Sequence, residues 1–313
     1  MKEETIFRIE GLYRDDFRVR GFFFGEGEKA LCVTGSTRGN EMQQLYCASQ
    51  LIQKLRRLEE AGRLVPGKQI LVLPCLNPYS INVKKRFWPI DNTDINRMFP
   101  GYEEGETTQR IAGGVFNIIR DYAMGIQLAS FYMPGIFVPH IRMMKTGFED
   151  VELACRFGMP YVILHHPRPF DTATLNYNWQ IWNTKAFSLY TTVTAEIDRK
   201  SAADAVDAIL RFMSAAGLLN ADIPGGFVSR VMDGEDTVPV RAADAGFMEA
   251  KVTVGEHVTA GQTLAFITDS YTGELRQELT APEAGIVGFI YDAAMVYQDT
   301  AVIKLLRDPE AYC

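Results

Sequence analysis

The first two thirds of the chain alternate between apolar runs that predict strands and amphipathic segments that predict helices. Apolar runs bounded by glycine at 17–26 and 29–36 have the composition of strands. Apolar residues then recur at helical spacing from 42 to 58, and Gly62 ends this pattern. A continuous apolar run at 69–77 is typical of a buried parallel strand. Because alternating strands and helices need crossover connections, the pattern predicts a mostly parallel twisted sheet flanked by helices.

The alternation continues to about residue 220. A long polar loop follows the strand at 69–77, and the periodic pattern then resumes. Further helices are predicted at 106–123, 175–187 and 201–217, and further strands near 126–130, 136–142, 160–165 and 190–197. We therefore expect one α/β domain over residues 1–220.

Helical periodicity ends beyond residue 225, after the linker signal IPGG. Two segments, 242–258 and 281–296, share an Ala-x-Ala-Gly step in which Gly246 corresponds to Gly285. This repeat predicts two related hairpin units in a small all-β barrel or sandwich domain over 225–313. The domain resembles the biotinyl/lipoyl-like fold. Carriers with that fold need a lysine at a hairpin tip, and the corresponding loop TDSYTGEL has none, so carrier function is not expected.

Composition and charge narrow the class of function. The chain has 313 residues and a formal net charge of −7, which argues against a nucleic-acid or anionic-membrane partner. No run of 18 apolar residues predicts a membrane span, and the charged N-terminal segment lacks the apolar core of a signal peptide. The five cysteines are scattered and form no disulfide framework, so a cytoplasmic protein is expected.

The segment RFWPIDNTDINRMFPG, residues 86–101, carries the candidate chemistry. An arginine presents a planar fork that pairs with a carboxylate, and an asparagine adds a directed donor. Arg86, Asn96 and Arg97 are therefore candidate binding residues for a small carboxylate. The alternative is that the two arginines only fix a loop by surface ion pairs.

Together with NPYS at 77–80, TGSTRGNE at 34–41 and TVTAEI at 192–197, this segment resembles the succinylglutamate desuccinylase/aspartoacylase family. That family is a branch of the zinc carboxypeptidase-like hydrolases, and the resemblance covers nearly the whole chain. It implies a zinc-carboxypeptidase-like fold and zinc-dependent hydrolysis of an amide bond. It also implies that the arginines and the asparagine of the 86–101 segment bind the substrate anion.

The resemblance also implies a zinc site that this chain does not reproduce. Family members hold zinc with the His and Glu of a Gly-x-x-His-Gly-x-Glu segment and with the His of an Asp-Leu-His segment. Here Arg38 and Ala129 stand where the two histidines are expected, and Glu41 remains as the carboxylate ligand. Glu196, on the predicted strand at 190–197, corresponds to the family's catalytic acid and base.

Two interpretations follow from these replacements. In the first, the chain is a catalytically impaired homologue that needs no cofactor and binds an N-acyl amino acid-like carboxylate or pairs with an active relative. Arg38 would then supply the positive charge between Glu41 and Glu196, unless it only points to solvent. A homo-oligomer or a complex with an active paralogue is expected.

In the second interpretation, the chain is an active hydrolase with a rearranged zinc site. It would cleave the amide bond of an N-acyl amino acid or a small amine. Only four histidines are present, and His165, at the end of a predicted strand, is the best candidate for a replacement ligand.

Overall fold

Helices and strands alternate through the first two thirds of the chain, and the described residues that follow form strands and loops with one 3-10 turn at Gly234–Asp236. The computed structural model describes residues 1–11, 15–307 and 311–313. The helices are α1 (Met42–Glu60), α2 (Pro78–Asn82), α3 (Thr107–Ile119), α4 (Val151–Cys155), α5 (Leu175–Ile181) and α6 (Arg199–Ala215). The strands of the first part are β1 (Lys2–Ile9), β2 (Phe17–Phe24), β3 (Glu28–Ser36), β4 (Lys68–Cys75), β5 (Met124–Ala129), β6 (Ile136–Phe137), β7 (His140–Met144), β8 (Tyr161–His165), β9 (Lys185–Tyr190) and β10 (Arg230–Asp233). The later strands are β11 (Thr237–Arg241), β12 (Gly246–Ala250), β13 (His257–Val258), β14 (Thr263–Thr268), β15 (Leu275–Thr280), β16 (Gly285–Ile290), β17 (Met295–Val296), β18 (Ala301–Leu306) and β19 (Ala311–Tyr312).

One large sheet forms the centre of the first part, in the order β1-β2-β4-β3-β5-β9-β7-β8-β10-β19. Five of its nine described pairings are parallel and four are antiparallel. The predicted mostly parallel sheet is therefore corrected to a mixed sheet. An antiparallel hairpin, β1–β2, extends one edge, and β7 runs against β9 in the middle.

Helices cover both faces of this sheet. On one face, α1 and α6 bury an apolar stripe that includes Leu51, Leu55 and Phe212. On the other face, α3 and α5 contribute Phe116 and Trp179 to a second core cluster. Gly125 allows the approach of Trp179, because a Cβ there would lie 2.7 Å from the indole ring.

The chain between α5 and α6 differs from the predicted pattern. Helix α5 ends at Ile181 instead of continuing to 187, and Asn183 adopts a positive φ of 67° directly after it. Strand β9 therefore begins at Lys185 and ends at Tyr190, and the predicted strand at 190–197 is wrong. Residues 191–198 form an irregular connection to α6.

The strands from β11 to β18 form two antiparallel sheets, in the orders β11-β18-β16-β13 and β15-β14-β12-β17. The units β12–β14 and β16–β18 repeat the same succession of strands, and Gly246 and Gly285 each open the first strand of a unit. The short second strand of each unit pairs with the first strand of the other unit. This exchange joins the two units around one apolar core.

Several connections link these two antiparallel sheets to the first part of the chain. Strand β6 leaves the first part and pairs with β16, while β10 and β19 add to the large sheet on either side of the β domain in sequence. The boundary at 220–225 stays a prediction. Cys155 is bonded to Cys313, with the two Cα atoms 6.1 Å apart, so the expectation of no disulfide is corrected. No helix in the described part of the chain has the length and apolar character needed to span a bilayer.

Candidate functional site

Arg38 lies buried in the turn that connects β3 to α1, with 5% of its surface exposed. Its Nη1 donates to Glu41 Oε1 at 3.0 Å, and its Nε donates to both carboxylate oxygens of Asp94 at 3.0 Å. Burial by itself lowers the pKa of Arg38, but the two carboxylates more than offset this, and the pKa is raised. The guanidinium is thus a fixed positive charge between two carboxylates, and it does not point to solvent.

The turn brings this ion pair into place through a tight backbone contact. Glu41 is the N-cap residue of α1. Gly39 passes against α2 and the loop after it, where a Cβ would lie 2.1 Å from the carbonyl oxygen of Ser80 and 2.2 Å from that of Lys85. Only glycine permits this approach, so the position of Arg38 depends on it.

Both carboxylate oxygens of Glu41 are already engaged. Oε2 accepts from the backbone N–H of Thr37 at 2.7 Å and of Arg38 at 3.0 Å, and from the Thr37 hydroxyl at 3.2 Å. Oε1 accepts from Arg38 and from the hydroxyl of Ser130. A carboxylate has about four lone-pair positions, so these donors leave Glu41 no free position for a metal ion.

The residues at the other expected ligand position do not fit zinc either. Ala129 ends β5 and carries no ligand atom, and its carbonyl accepts from Gln44 Nε2 at 3.1 Å. Zinc needs three protein ligands from His, Cys, Asp or Glu in a hydrolytic site. Among the residues that the structure describes, no group of three or more such side chains is arranged to hold a metal ion. The family's zinc therefore does not fit the donor set of this turn.

Glu196 makes no ion pair with Arg38 in the described part of the chain. Its side chain is exposed in the irregular segment 191–198. Burial and the negative charge of Glu196 together raise the pKa of Asp292. Strand β9 instead ends with Tyr190, which pairs with Ala129 across the sheet. The second carboxylate that contacts Arg38 is Asp94, and the assignment of Glu196 as catalytic acid and base stays a prediction.

Arg86, Asn96 and Arg97 line one cavity together with Arg38 and Ala129. Arg86 Nη2 lies 3.9 Å from Asp94 Oδ2, and burial together with the charge of Arg38 lowers the Arg86 pKa to about 10. The guanidinium is still protonated at neutral pH.

Asn96 and Arg97 follow Asp94, which caps the short helical turn Ile95–Arg97 by accepting from the Asn96 backbone N–H. The Asn96 side-chain oxygen accepts from Gln127 Nε2 at 3.1 Å. Arg97 Nη1 lies 3.4 Å from Asp171 Oδ1, and its guanidinium stacks on the ring of Phe170. Each of these side chains is thus held in one orientation by a neighbour.

The cavity has a volume of about 680 Å³ and lies between the large sheet and the C-terminal strands. Seven arginine or lysine side chains line it, against three carboxylates. Its walls include aromatic side chains, among them Phe131, Tyr190 and Phe289. An acidic protein therefore contains a positively charged cavity, which suits a small anionic ligand.

Two histidines face this cavity as neutral rings. Burial lowers the pKa of His140 to about 4, and its Nδ1 lies 2.8 Å from the carbonyl oxygen of Val138. Because a carbonyl only accepts, Nδ1 carries the hydrogen and Nε2 has the lone pair. Burial and the charge of Arg142 lower the pKa of His165 to about 4, and its Nδ1 lies 3.0 Å from Arg142 Nε and 3.1 Å from the carbonyl oxygen of Met143.

A known protein family matches the part of the chain that carries this turn and the 86–101 segment. The sequence model of the succinylglutamate desuccinylase/aspartoacylase catalytic domain matches residues 27–213. The chain belongs to this family. The match covers the turn of Arg38, the 86–101 segment and strand β9.

Similar proteins extend the match over most of the chain. The N-alpha-acetyl-L-2,4-diaminobutyric acid deacetylase of Halomonas elongata is 26% identical over 278 residues, covering 84% of this chain and 77% of that protein. A succinylglutamate desuccinylase structure from a Silicibacter species has a TM-score of 0.82 and 18% identity, over 97% of this chain and 94% of the other. A product-bound structure of the ectoine utilization protein EutE (DoeB) from Ruegeria pomeroyi has a TM-score of 0.78 and 19% identity, over 93% and 89%. At these identities the two structures show the shared fold.

Sequence reasoning did not identify several residues that the structure brings to the cavity. Asp94 does not line the cavity itself but contacts the lining residues Arg38 and Arg86. It stands within the 86–101 segment, two residues before Asn96, so its neighbours could have indicated it. Tyr190 ends a strand that the pattern placed too late. Asn176 and Lys304 also line the cavity, from α5 and β18, and no sequence motif connects them with the rest.

Proposed function

We propose that this family member binds an N-acyl amino acid-like carboxylate in its cavity and does not carry out zinc-dependent hydrolysis. The observation that supports this most directly is the buried Arg38 guanidinium between Glu41 and Asp94. The guanidinium cannot ligate a metal, and it occupies the Glu41 oxygen that a metal would need. The positively charged lining of the cavity can bind a carboxylate without a metal ion.

The carboxylate of the ligand is expected at Arg86 and Arg97. The charge of Arg38 is balanced by Glu41 and Asp94, each 3.0 Å away. Arg86 has one ion-pair contact among the described residues, with Asp94 at the longer distance of 3.9 Å. Asn96, held by Gln127, adds a fixed amide beside them. A charge-assisted hydrogen bond to a carboxylate contributes about 1.5–3 kcal/mol, so two arginines suffice for specific binding.

Calorimetric titration of the full chain with a panel of N-acyl amino acids tests this proposal. Arg97→Ala should weaken the binding of a panel member that binds the wild type by about ten-fold or more. Arg56→Ala is the matched control, because Arg56 lies on the exposed face of α1. Equal affinities in the wild type and Arg97→Ala would remove Arg97 from the binding site.

The second candidate is the family's own reaction, amide hydrolysis. The similarity to the Halomonas elongata deacetylase favours it, as do the unprotonated imidazoles of His140 and His165 in the cavity. Elemental analysis of protein purified without chelators separates the two candidates. We expect less than about one tenth of an equivalent of zinc per chain, and roughly one equivalent would make the hydrolase the better proposal.

A further inference from the structure

A second cavity lies beside α3, and among the described residues it shares no lining side chain with the cavity of the proposed function. Its volume is about 470 Å³. One wall is the face of α3 and its C-cap that carries Gly113, Phe116, Asn117 and Arg120, at the three- and four-residue spacing of one helix face. The loop 100–104 forms another wall. We call this space the α3 cavity.

Two glycines bring the loop against the helix. Gly101 has a positive φ of 96°, and a Cβ on it would lie 2.0 Å from the backbone nitrogen of Gly113. The backbone N–H of Tyr102 donates to the Gln109 carbonyl at 3.1 Å. Because these contacts fix the backbone of the loop, the side chains that follow Gly101 stand beside the helix.

The α3 cavity carries charges of both signs that do not neutralise each other. Glu103 Oε1 accepts from Asn117 Nδ2 at 2.8 Å. Asn117 precedes Arg120 by three residues, so the carboxylate is held about one helical turn from the base of the Arg120 side chain. Among the described residues Glu103 has no ion-pair contact, and that of Arg120 is with Asp121, 4.0 Å from Nε to Oδ1. A ligand in this cavity therefore meets one unpaired carboxylate and one weakly paired guanidinium.

Aromatic rings give the same cavity apolar surface. Trp182, directly after α5, is 43% exposed, and the Arg120 guanidinium lies 5.0 Å from its ring centre. Phe116 meets the Trp182 ring edge-on at 5.6 Å. Tyr102 is also exposed, and its hydroxyl donates to Glu104 Oε2 at 3.0 Å. Rings beside two opposite charges suit a ligand with a short hydrocarbon body between charged ends.

We propose that the α3 cavity binds a small zwitterion, a free amino acid whose ammonium group pairs with Glu103 and whose carboxylate pairs with Arg120. An ammonium has three N–H donors, so it can contact Glu103 and Glu104 together. A ligand with a single charge leaves the opposite charge of the protein without a partner, whereas a zwitterion forms a charge-assisted hydrogen bond at each end. The proposed function concerns the other cavity, so this inference does not depend on it.

Calorimetric titration of the full chain with zwitterions of increasing charge separation tests the site. The probes are glycine, 4-aminobutyrate and 6-aminohexanoate. At least one should bind, and the alkylammonium and the alkanoate of the same chain length should each bind about ten-fold more weakly or less, because each loses one charge-assisted contact. Wild-type protein that binds none of the three, or that binds a one-charge analogue equally well, would overturn the proposal.

Substitutions assign the two ends of the bound probe. Glu103→Gln and Arg120→Gln should each weaken the binding of the preferred zwitterion by about ten-fold or more. Glu60→Gln and Arg56→Gln are the matched controls, since these two residues form an exposed ion pair on α1. Affinities that stay unchanged in both Glu103→Gln and Arg120→Gln would contradict the site.

The fluorescence of Trp182 shows in which cavity the zwitterion binds. The chain has three tryptophans, and the other two, Trp88 and Trp179, are buried and line neither cavity. Binding should change the tryptophan emission. Trp182→Phe should abolish this change and keep the calorimetric affinity within about three-fold, because an aromatic ring remains. An emission change that persists in Trp182→Phe, or an affinity that falls in Arg97→Ala but not in Arg120→Gln, would place the probe elsewhere and overturn the inference.

Discussion

At the scale of single residues, Arg38 determines what the turn after β3 can hold. Its side chain satisfies Glu41 and Asp94 at once, and it is almost completely buried. A zinc ion would bring two positive charges to such a turn, whereas Arg38 brings one that cannot dissociate. Two buried carboxylates without either cation would be costly, because like charges at short distance raise each other's pKa.

Replacing Arg38 with methionine tests this charge balance. We expect Arg38→Met to lower the free energy of unfolding at pH 7 by about 3–5 kcal/mol, because it leaves buried carboxylates unpaired. Part of this loss should be recovered at pH 5, since carboxylates with raised pKa values take up protons there and become neutral. Urea unfolding at both pH values measures the effect. A loss of the same size at pH 5 and pH 7 would contradict the role of Arg38 as counter-ion.

The sequence indicated those site residues that are close together in the chain. Arg86, Asn96 and Arg97 stand in one segment, and the structure places all three on one cavity. Lys304 belongs to another part of the fold, and no spacing in the sequence shows that it meets Arg142. This side of the cavity could not be predicted because it depends on how two separately patterned regions pack.

At the scale of elements, strand β9 determines which side chain reaches the cavity. It ends at Tyr190, whose ring stacks on His140 with 4.5 Å between ring centres and contacts Phe131 edge-on. The acidic residue that the sequence assigned to this strand, Glu196, is exposed on the connection that follows. A shift of a few residues in one strand thus exchanges a carboxylate for a phenol at the site.

Paired substitutions distinguish these two positions. Tyr190→Ala should lower the free energy of unfolding by about 3 kcal/mol, because it removes a buried ring from a packed wall. Glu196→Gln should change it by less than about 0.5 kcal/mol, since the side chain is exposed. Ligand affinity should fall only in Tyr190→Ala. An affinity loss of ten-fold or more in Glu196→Gln would return Glu196 to the site.

The elements that the sequence predicted well are those with a strong, uninterrupted period. Helix α1 was expected from 42 to 58 and is found from Met42 to Glu60, with Gly62 just beyond its end. Strand β9 was misplaced because the residues on both sides of Tyr190 are equally suited to a strand, so composition could not choose between them. Strand β1 was missed because it lies at the edge of the sheet and most of its side chains are charged or polar.

At the scale of the whole molecule, positively charged side chains from both the large sheet and the C-terminal strands line the cavity at their junction. Lys304 lines the cavity, and burial lowers its pKa to about 8, so its charge can change near neutral pH. His165 is uncharged at pH values well above 4. The charge of the cavity lining on the side of the C-terminal strands therefore depends on the protonation of Lys304.

Sulfate binding should consequently weaken as the pH rises. The Lys304 pKa is lowered to about 8 in the folded chain, so the ammonium is largely present at pH 6.5 and largely lost at pH 9.5. Sulfate keeps the same charge over this range, and its affinity should fall several-fold between the two pH values. In Lys304→Arg the affinity should be constant, because arginine does not lose its proton. A pH dependence that persists in Lys304→Arg would assign the effect to another group.

The β domain is fastened to the large sheet in three places. Strand β10 lies in that sheet just before the domain begins, β19 returns to it afterwards, and β6 crosses over to pair with β16. Swinging the domain away would break backbone hydrogen bonds, including the one from Val138 N–H to the Gly288 carbonyl. The walls of the cavity therefore keep a fixed separation, and we expect no hinge motion that closes them on a ligand. Ligand binding therefore costs little conformational entropy of the protein. The association rate is set by diffusion and by electrostatic attraction to the positively charged cavity.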